Sequence, residues 1–210
     1  MISILKAWLE TRLCPQIVNE LFLCTDFETA IHAECYGIER LYHPDIHTPY
    51  NYTHDLCILK WFHTHQKGEF DKMTMNSAAM NGHLDTVKFL HENRSEGCTI
   101  NAMALASEYG HLEVVKFLHE HRTEGCTYLA MDWAATRGHL EIVQWLHHNR
   151  TEGCTVRAMD GAARNGHLEI VKFLHENRSE GCTVWAMEWA VQFGHQDVVQ
   201  WLRQHYPLLI

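Results

Sequence analysis

No apolar stretch in this 210-residue sequence exceeds five residues. The longest, 102–106, is far short of the roughly 20 that a membrane-spanning helix needs. A secretory leader is also missing from what can be read: the opening MISILKAWLETRL interrupts its apolar residues with Lys6, Glu10 and Arg12, which predicts an amphipathic helix. Basic charge is scarce. Lys and Arg number 17 against 26 Asp and Glu, for a net charge of −9 with histidines neutral. The imbalance is even, with 5 basic and 9 acidic side chains in residues 1–70 and 12 and 17 in residues 71–210. A protein that tracks nucleic-acid phosphates is thereby excluded as an expectation.

Catalytic signatures are missing too. There is no G-x-S-x-G, no Gly-rich phosphate loop with a Lys, and no H-E-x-x-H. His91-Glu92 and His119-Glu120 sit in HENRS and HEHRT, without a second His four residues on. No enzyme, cofactor, small-molecule substrate or membrane association is expected.

What the sequence does have is 46% apolar residues, 20% charged, 18 histidines and 8 cysteines. That is an ordinary globular composition with enough chain to bury a core without disulfide or metal staples. Protonating every histidine would carry the net charge from −9 to +9.

The dominant feature is a period of 28 residues. Gly-His recurs at Gly82-His83, Gly110-His111, Gly138-His139, Gly166-His167 and Gly194-His195. Cys98, Cys126, Cys154 and Cys182 keep the same step, as do Arg94, Arg122, Arg150 and Arg178. Five full units follow: 71–98, 99–126, 127–154, 155–182 and 183–210. A degenerate half unit at 54–70 precedes them, where Leu56, Leu59, Trp61, Phe62 and His63 align with Leu84, Val87, Phe89, Leu90 and His91.

Each unit predicts two helices. In 127–154, Thr127 opens a first helix through Ala130, Met131, Ala134 and Ala135, and Gly138 ends it in the left-handed conformation. A second helix starts near His139 with Leu140, Val143, Trp145 and Leu146, and NRTEGC turns the chain back. Twenty-eight residues then leave no room for a strand. So small a unit cannot bury its own apolar faces, which predicts an all-α solenoid of stacked helix-turn-helix units with a cap at each end.

The phrase NGHLEIVKFLHENR at 165–178, preceded by AMDGAA at 158–163, resembles the ankyrin repeat. In particular it is similar to the short repeats of ankyrin proteins from large DNA viruses of amoebae, amoebae and oomycetes. The resemblance covers residues 71–210 well and 54–70 weakly. It implies a non-catalytic scaffold that binds a protein partner, in the cytoplasm, with a host protein as one candidate. The chain departs from the usual 33-residue period and lacks the Thr-Pro-Leu-His turn: Leu129 and Ala130-Met131-Asp132 stand there. The hairpin fingers between repeats are therefore expected to be reduced or absent.

Residues 1–53 are expected to form a helical cap. Pro15 can open a helix bearing Ile17, Val18, Leu21 and Phe22, and Thr25-Asp26-Phe27-Glu28 reads as a capping box for the next. Residues 13–30 also resemble the opening of an F-box, without its later part. That resemblance implies a second reading, an adaptor joining a bound target to a ubiquitin ligase.

The rows of identical residues allow a third reading, a histidine-based metal or pH responder. Stacked helices lie about 8–10 Å apart, too far for one His per unit to converge on a zinc ion at about 2 Å. The histidines are instead expected to bond backbone groups at unit junctions, and the cysteines to be packed thiols. Each Arg lies two residues before Glu96, Glu124, Glu152 or Glu180 and is expected to face a Glu of the next unit.

Comparing the units separates scaffold from surface. The third, sixth, seventh and tenth positions of the first helix vary, running from Met73, Asn76, Ser77 and Met80 to Trp185, Glu188, Trp189 and Gln192. Spacings of three, four and seven place them on one face, expected to point to solvent. On or beside it lie Leu105, Tyr109, Leu129, Trp133, Arg137, Arg157, Arg164, Trp185, Trp189 and Phe193, the aromatic-plus-arginine composition of protein-binding surfaces. Trp133 and Trp189 flank Gly161 in one column, so their rings either bind a partner or fill space over a small neighbour. Trp145 and Trp201 share a column with Phe89, Phe117 and Phe173, expected on the inner face of the second helix.

Overall fold

An α-helix that must end and turn at once into another favours a residue that tolerates positive φ, and here the glycine of the Gly-His pair supplies it. In a computed structural model that describes residues 53–54, 56–64 and 69–209, Gly138 sits at φ 88° and ends a helix. The following His139 N–H donates to Ala134 O at 2.9 Å, the 6→1 bond of a Schellman turn. The chain reverses at once, and His139 starts the next helix. A side chain on Gly138 would also meet the His167 ring of the next repeat at 2.7 Å.

The chain divides into two units, 1–70 and 71–210. In the first, α1 (Leu56–Thr64) is described, with Leu59 and Phe62 buried. The proposed helices and F-box-like stretch of residues 1–52 lie outside the described residues.

The second unit holds five helical hairpins: α2 (Lys72–Met80) and α3 (Leu84–Asn93), α4 (Asn101–Glu108) and α5 (Leu112–His121), α6 (Leu129–Arg137) and α7 (Leu140–Asn149), α8 (Val156–Arg164) and α9 (Leu168–Asn177), α10 (Val184–Gln192) and α11 (Gln196–His205). A short 3-10 turn, Pro207–Leu209, follows. Among the described residues there is no strand, so loops and not hairpin fingers join the repeats.

The constant residues make the core. Ala130, Met131, Ala134 and Ala135 of α6 and Ile142, Val143 and Leu146 of α7 are all buried, and their counterparts repeat this along the array except Val191, at the Ala135 position of the last unit, which is exposed. Alanine matters as much as the large side chains. It lets successive first helices pack backbone against backbone, far closer than the second helices do. The α6–α8 contact is the most extensive of these, and Gly161 sits in it: a Cβ there would meet Thr136 Oγ1 at 2.1 Å.

In the first four units the sixth column of the first helix does not face solvent as its variation suggests, whereas Glu188 of the fifth is exposed. Asn76, Ala104, Asp132 and Asp160 are buried, and Ser77 and Gly161 of the seventh column with them. The polar ones tie each repeat to the next. Asp132 accepts from Thr155 N–H at 2.8 Å and from its hydroxyl at 2.6 Å. Asp160 holds Thr183 at 2.8 and 2.7 Å. Asn76 holds Thr99 with its amide, Oδ1 accepting the Thr99 N–H at 3.0 Å and Nδ2 donating to the Thr99 hydroxyl at 2.8 Å. Each of these Thr oxygens in turn accepts an N–H from the first turn of its helix.

The Arg–Glu rows also pair differently from the expectation. Each Arg forks onto the Glu two residues on in its own loop, as Arg94–Glu96, Arg122–Glu124, Arg150–Glu152 and Arg178–Glu180. The extended backbone at Arg122 (φ −122°, ψ 148°) points both side chains the same way. The link between repeats runs through other atoms. Arg122 Nη1 donates to His91 Nδ1 at 3.3 Å, Arg150 Nη1 to His119 Nδ1 at 3.2 Å, and Cys98 N–H to Glu124 Oε1 at 3.2 Å. Trp145 and Trp201 are half-buried beside these histidines, edge-on to His119 and His175 at 5.1 Å, and not sealed inside the hairpin.

Candidate functional site

The variable positions that remain outside the core converge on one groove. Leu129, Trp133, Arg157, Arg164, Trp185 and Trp189 line it, together with Asp132, Thr136, Val156, Asp160, Gly161 and Thr183. Its volume is about 520 Å³. It spans the first helices α6, α8 and α10.

Gly161 sets its depth. The indoles of Trp133 and Trp189 stand one repeat to either side in the same column, and between them the α8 backbone forms the floor. Those indoles are half-buried, so each both packs against its neighbours and presents a face. Trp185 is 50% exposed and stacks on Trp189, centroids 5.4 Å apart with 27° between planes. The Arg164 guanidinium lies 5.4 Å from the Trp189 ring centroid and 5.3 Å from that of Phe193, within reach of a cation–π interaction with both.

Four of the ten candidate residues are not part of the lining. Phe193, 48% exposed, joins through Arg164 alone. Arg137 is exposed but committed, its guanidinium donating to Glu108 at 2.7 and 3.2 Å, and this bond holds the Arg137 charge above its usual stability. Tyr109 is 50% exposed and Leu105 half-buried, one repeat before the groove. Val156 and Thr183 line it and were not singled out from the sequence. Thr183 carried a signal, since a Thr opens each of the last four units; Val156 carried none.

Burial raises the Asp132 carboxyl above its usual range, while the two Thr155 bonds oppose that shift. Among the described residues, the thiols of Cys98, Cys126, Cys154 and Cys182 are free and lie outside the groove. Burial pushes Cys98 up to about 11 and Cys154 and Cys182 up to about 12, so they stay protonated and unreactive. The junction histidines bond backbone, as at His139 Nε2 and Glu108 O, 2.9 Å apart. Among the described residues no three His, Cys, Asp or Glu side chains gather as a metal-binding set. No helix among them is long and apolar enough to cross a membrane.

Comparison with curated proteins finds no match for this chain. Comparison with protein families finds one described as ankyrin repeats (3 copies), matching residues 52–127, 75–160 and 134–207. Proteins of this kind generally act as non-catalytic scaffolds for protein–protein interaction. With helical hairpins stacked at a 28-residue step and a family match running from residue 52 to 207, the chain belongs to the ankyrin repeat family.

Proposed function

We propose that this protein binds a partner protein, without catalysis, on the concave row of first helices, with the groove over Gly161 as its centre. The observation that carries this reading is the contrast within one helix row. Ala130, Met131, Ala134 and their counterparts are constant and buried, while Trp133, Arg157, Arg164, Trp185 and Trp189 differ from unit to unit and gather at one groove. Half-buried aromatics held by neighbouring repeats lose little freedom on contact, which is what binding anchors require.

Free thiols in every loop support a reducing compartment, the cytoplasm. The short period, similar to that of viral and amoebal ankyrin proteins, supports a host protein as the partner. Affinity capture tests the reading: the native chain is expected to retain proteins that a Trp133→Ala/Trp185→Ala/Trp189→Ala variant of equal helicity does not. Recovery of the same set from both would place the binding face elsewhere.

A further inference from the structure

The groove exposes two guanidiniums and buries its carboxylates, in a molecule that is acidic as a whole. The chain carries a net −9, yet two exposed guanidiniums, Arg157 and Arg164, line this one depression. Its two acidic lining residues are turned inward. Asp132 and Asp160 each have both carboxylate oxygens occupied by the Thr of the next repeat. Glu188 is exposed on α10 but is not part of the lining. Among the described residues, neither Arg157 nor Arg164 has a carboxylate within ion-pairing distance, whereas Arg137 next to the groove has Glu108. Arg157 does act on Asp132 through space, lowering its carboxyl somewhat.

We propose that the groove receives a short acidic segment of the partner protein, an apolar side chain settling over Gly161 between Trp133 and Trp189 while flanking carboxylates are held by Arg157 and Arg164. This rests on the concave-face reading above and adds the chemistry of the occupant.

Three physical points favour that occupant. The Arg164 guanidinium lies near both the Trp189 and Phe193 rings, which restricts its motion and lowers the entropic cost of holding a carboxylate. Two repeat steps of about 8–10 Å separate the Trp133 and Trp189 helices, which matches about five extended residues at roughly 3.3 Å each. A polyphosphate backbone is a worse fit, because two cations on a body of net charge −9 cannot offset long-range repulsion.

The experiment pans a random peptide display library against the native chain and measures each selected peptide, synthesised with a fluorophore, by anisotropy. Selected peptides are expected to place Asp or Glu beside a large apolar residue. Their affinity should fall at least about tenfold on Arg157→Gln/Arg164→Gln, the size of one lost charge-assisted hydrogen bond. It should fall similarly when the peptide's Glu is changed to Gln, and it should weaken with salt. Trp133→Ala/Trp189→Ala should abolish it. Peptides that ignore the Arg substitutions but need the two Trp would overturn the acidic occupant and leave the concave-face reading standing. Peptides that bind all variants equally would overturn both, and failure to select any acidic peptide would overturn the proposal. Both arginines are exposed, so their replacement leaves the fold intact, checked by an unchanged circular dichroism melt.

Discussion

Asp132 holds Thr155 of the following repeat at two points, backbone N–H at 2.8 Å and hydroxyl at 2.6 Å, and so anchors the N-cap residue of a helix that is not its own. The Thr155 oxygen accepts the Arg157 N–H at 3.2 Å in the same chain of bonds. One carboxylate thus fixes the register of α8 against α6. That places Arg157 on the groove wall.

Asp132→Ala is therefore expected to destabilise the array by about 1–3 kcal/mol, the cost of leaving a part-buried donor unpaired. Asp132→Asn should cost less, because Asn76 already serves Thr99 in this way. The converse holds at Ala104, whose partner Thr127 only accepts an N–H from its own helix, Leu129, at 3.3 Å. Ala104→Asn should gain stability, by about 0.5–1 kcal/mol. Urea titrations with equal slopes would establish the order; an Asp132→Ala chain as stable as the native one would contradict it.

The loop pair of Arg122 and Glu124 makes stability sensitive to acid. Hydrogen bonding from Arg122, ahead of a smaller opposing effect of burial, holds the Glu124 carboxyl at about 2 against an ordinary 4.5. The unfolded chain takes up that proton first, so the contribution is complete above 4.5 and drains away as pH falls toward 2. Arg122→Ala should cost about 1–3 kcal/mol at neutral pH, by stranding Glu124 and by releasing His91 Nδ1. It should also flatten the loss of stability between pH 5 and pH 3. A melting series of both proteins over that range reads this directly.

Histidine titration acts in a separate window. Burial lowers the pKa of His147 and His167 from the ordinary 6.5, aided by the charges of His148 and Arg178 for the first and of His139 and His195 for the second. Glu180 opposes the shift at His147, and the Thr136 backbone bond opposes it at His167. Protons therefore bind the unfolded chain more readily below 6.5, and stability present above that value is lost as pH drops through it. The melting temperature of the native chain should fall between pH 7.5 and 5.5 more than that of a His147→Gln/His167→Gln variant. Equal falls would remove these two residues as the cause.

Gly161→Ala sets helix propensity against fit. Alanine is worth roughly 1 kcal/mol over glycine within a helix, but its methyl would lie 2.1 Å from Thr136 Oγ1 and 3.0 Å from Thr136 Cβ. Net destabilisation is expected, by about 1–3 kcal/mol. Thr136→Ala in the same chain should restore part of it, since the hydroxyl and methyl leave. Stability at or above the native value in the single variant would show that α6 and α8 can separate freely.

Much of this was legible in the sequence for a simple reason. The 28-residue step, the Gly-His turn and the Ala-Met core recur because every junction demands the same backbone and the same volume. The sixth column was misread because Asn76, Ala104, Asp132 and Asp160 differ, and difference looks like surface freedom. Asn and Asp share one task there, accepting from a constant Thr 23 residues on, and only the pairing reveals it. The Arg–Glu rows misled in the opposite sense. Two residues apart in an extended loop are close enough to pair, so the period was no guide to the partner. For the groove, the sequence supplied the indoles and guanidiniums but not the inward turn of Asp132 and Asp160, which leaves Arg157 and Arg164 as the charged groups exposed in the lining.

The most direct test of the central claim is site-specific photo-crosslinking in cells. A benzoylphenylalanine placed at Trp185, on the groove, is compared with one at Gln144, exposed on the second-helix row. The account predicts a discrete adduct with a partner protein from position 185 and none from position 144. An adduct from position 144 alone would contradict it.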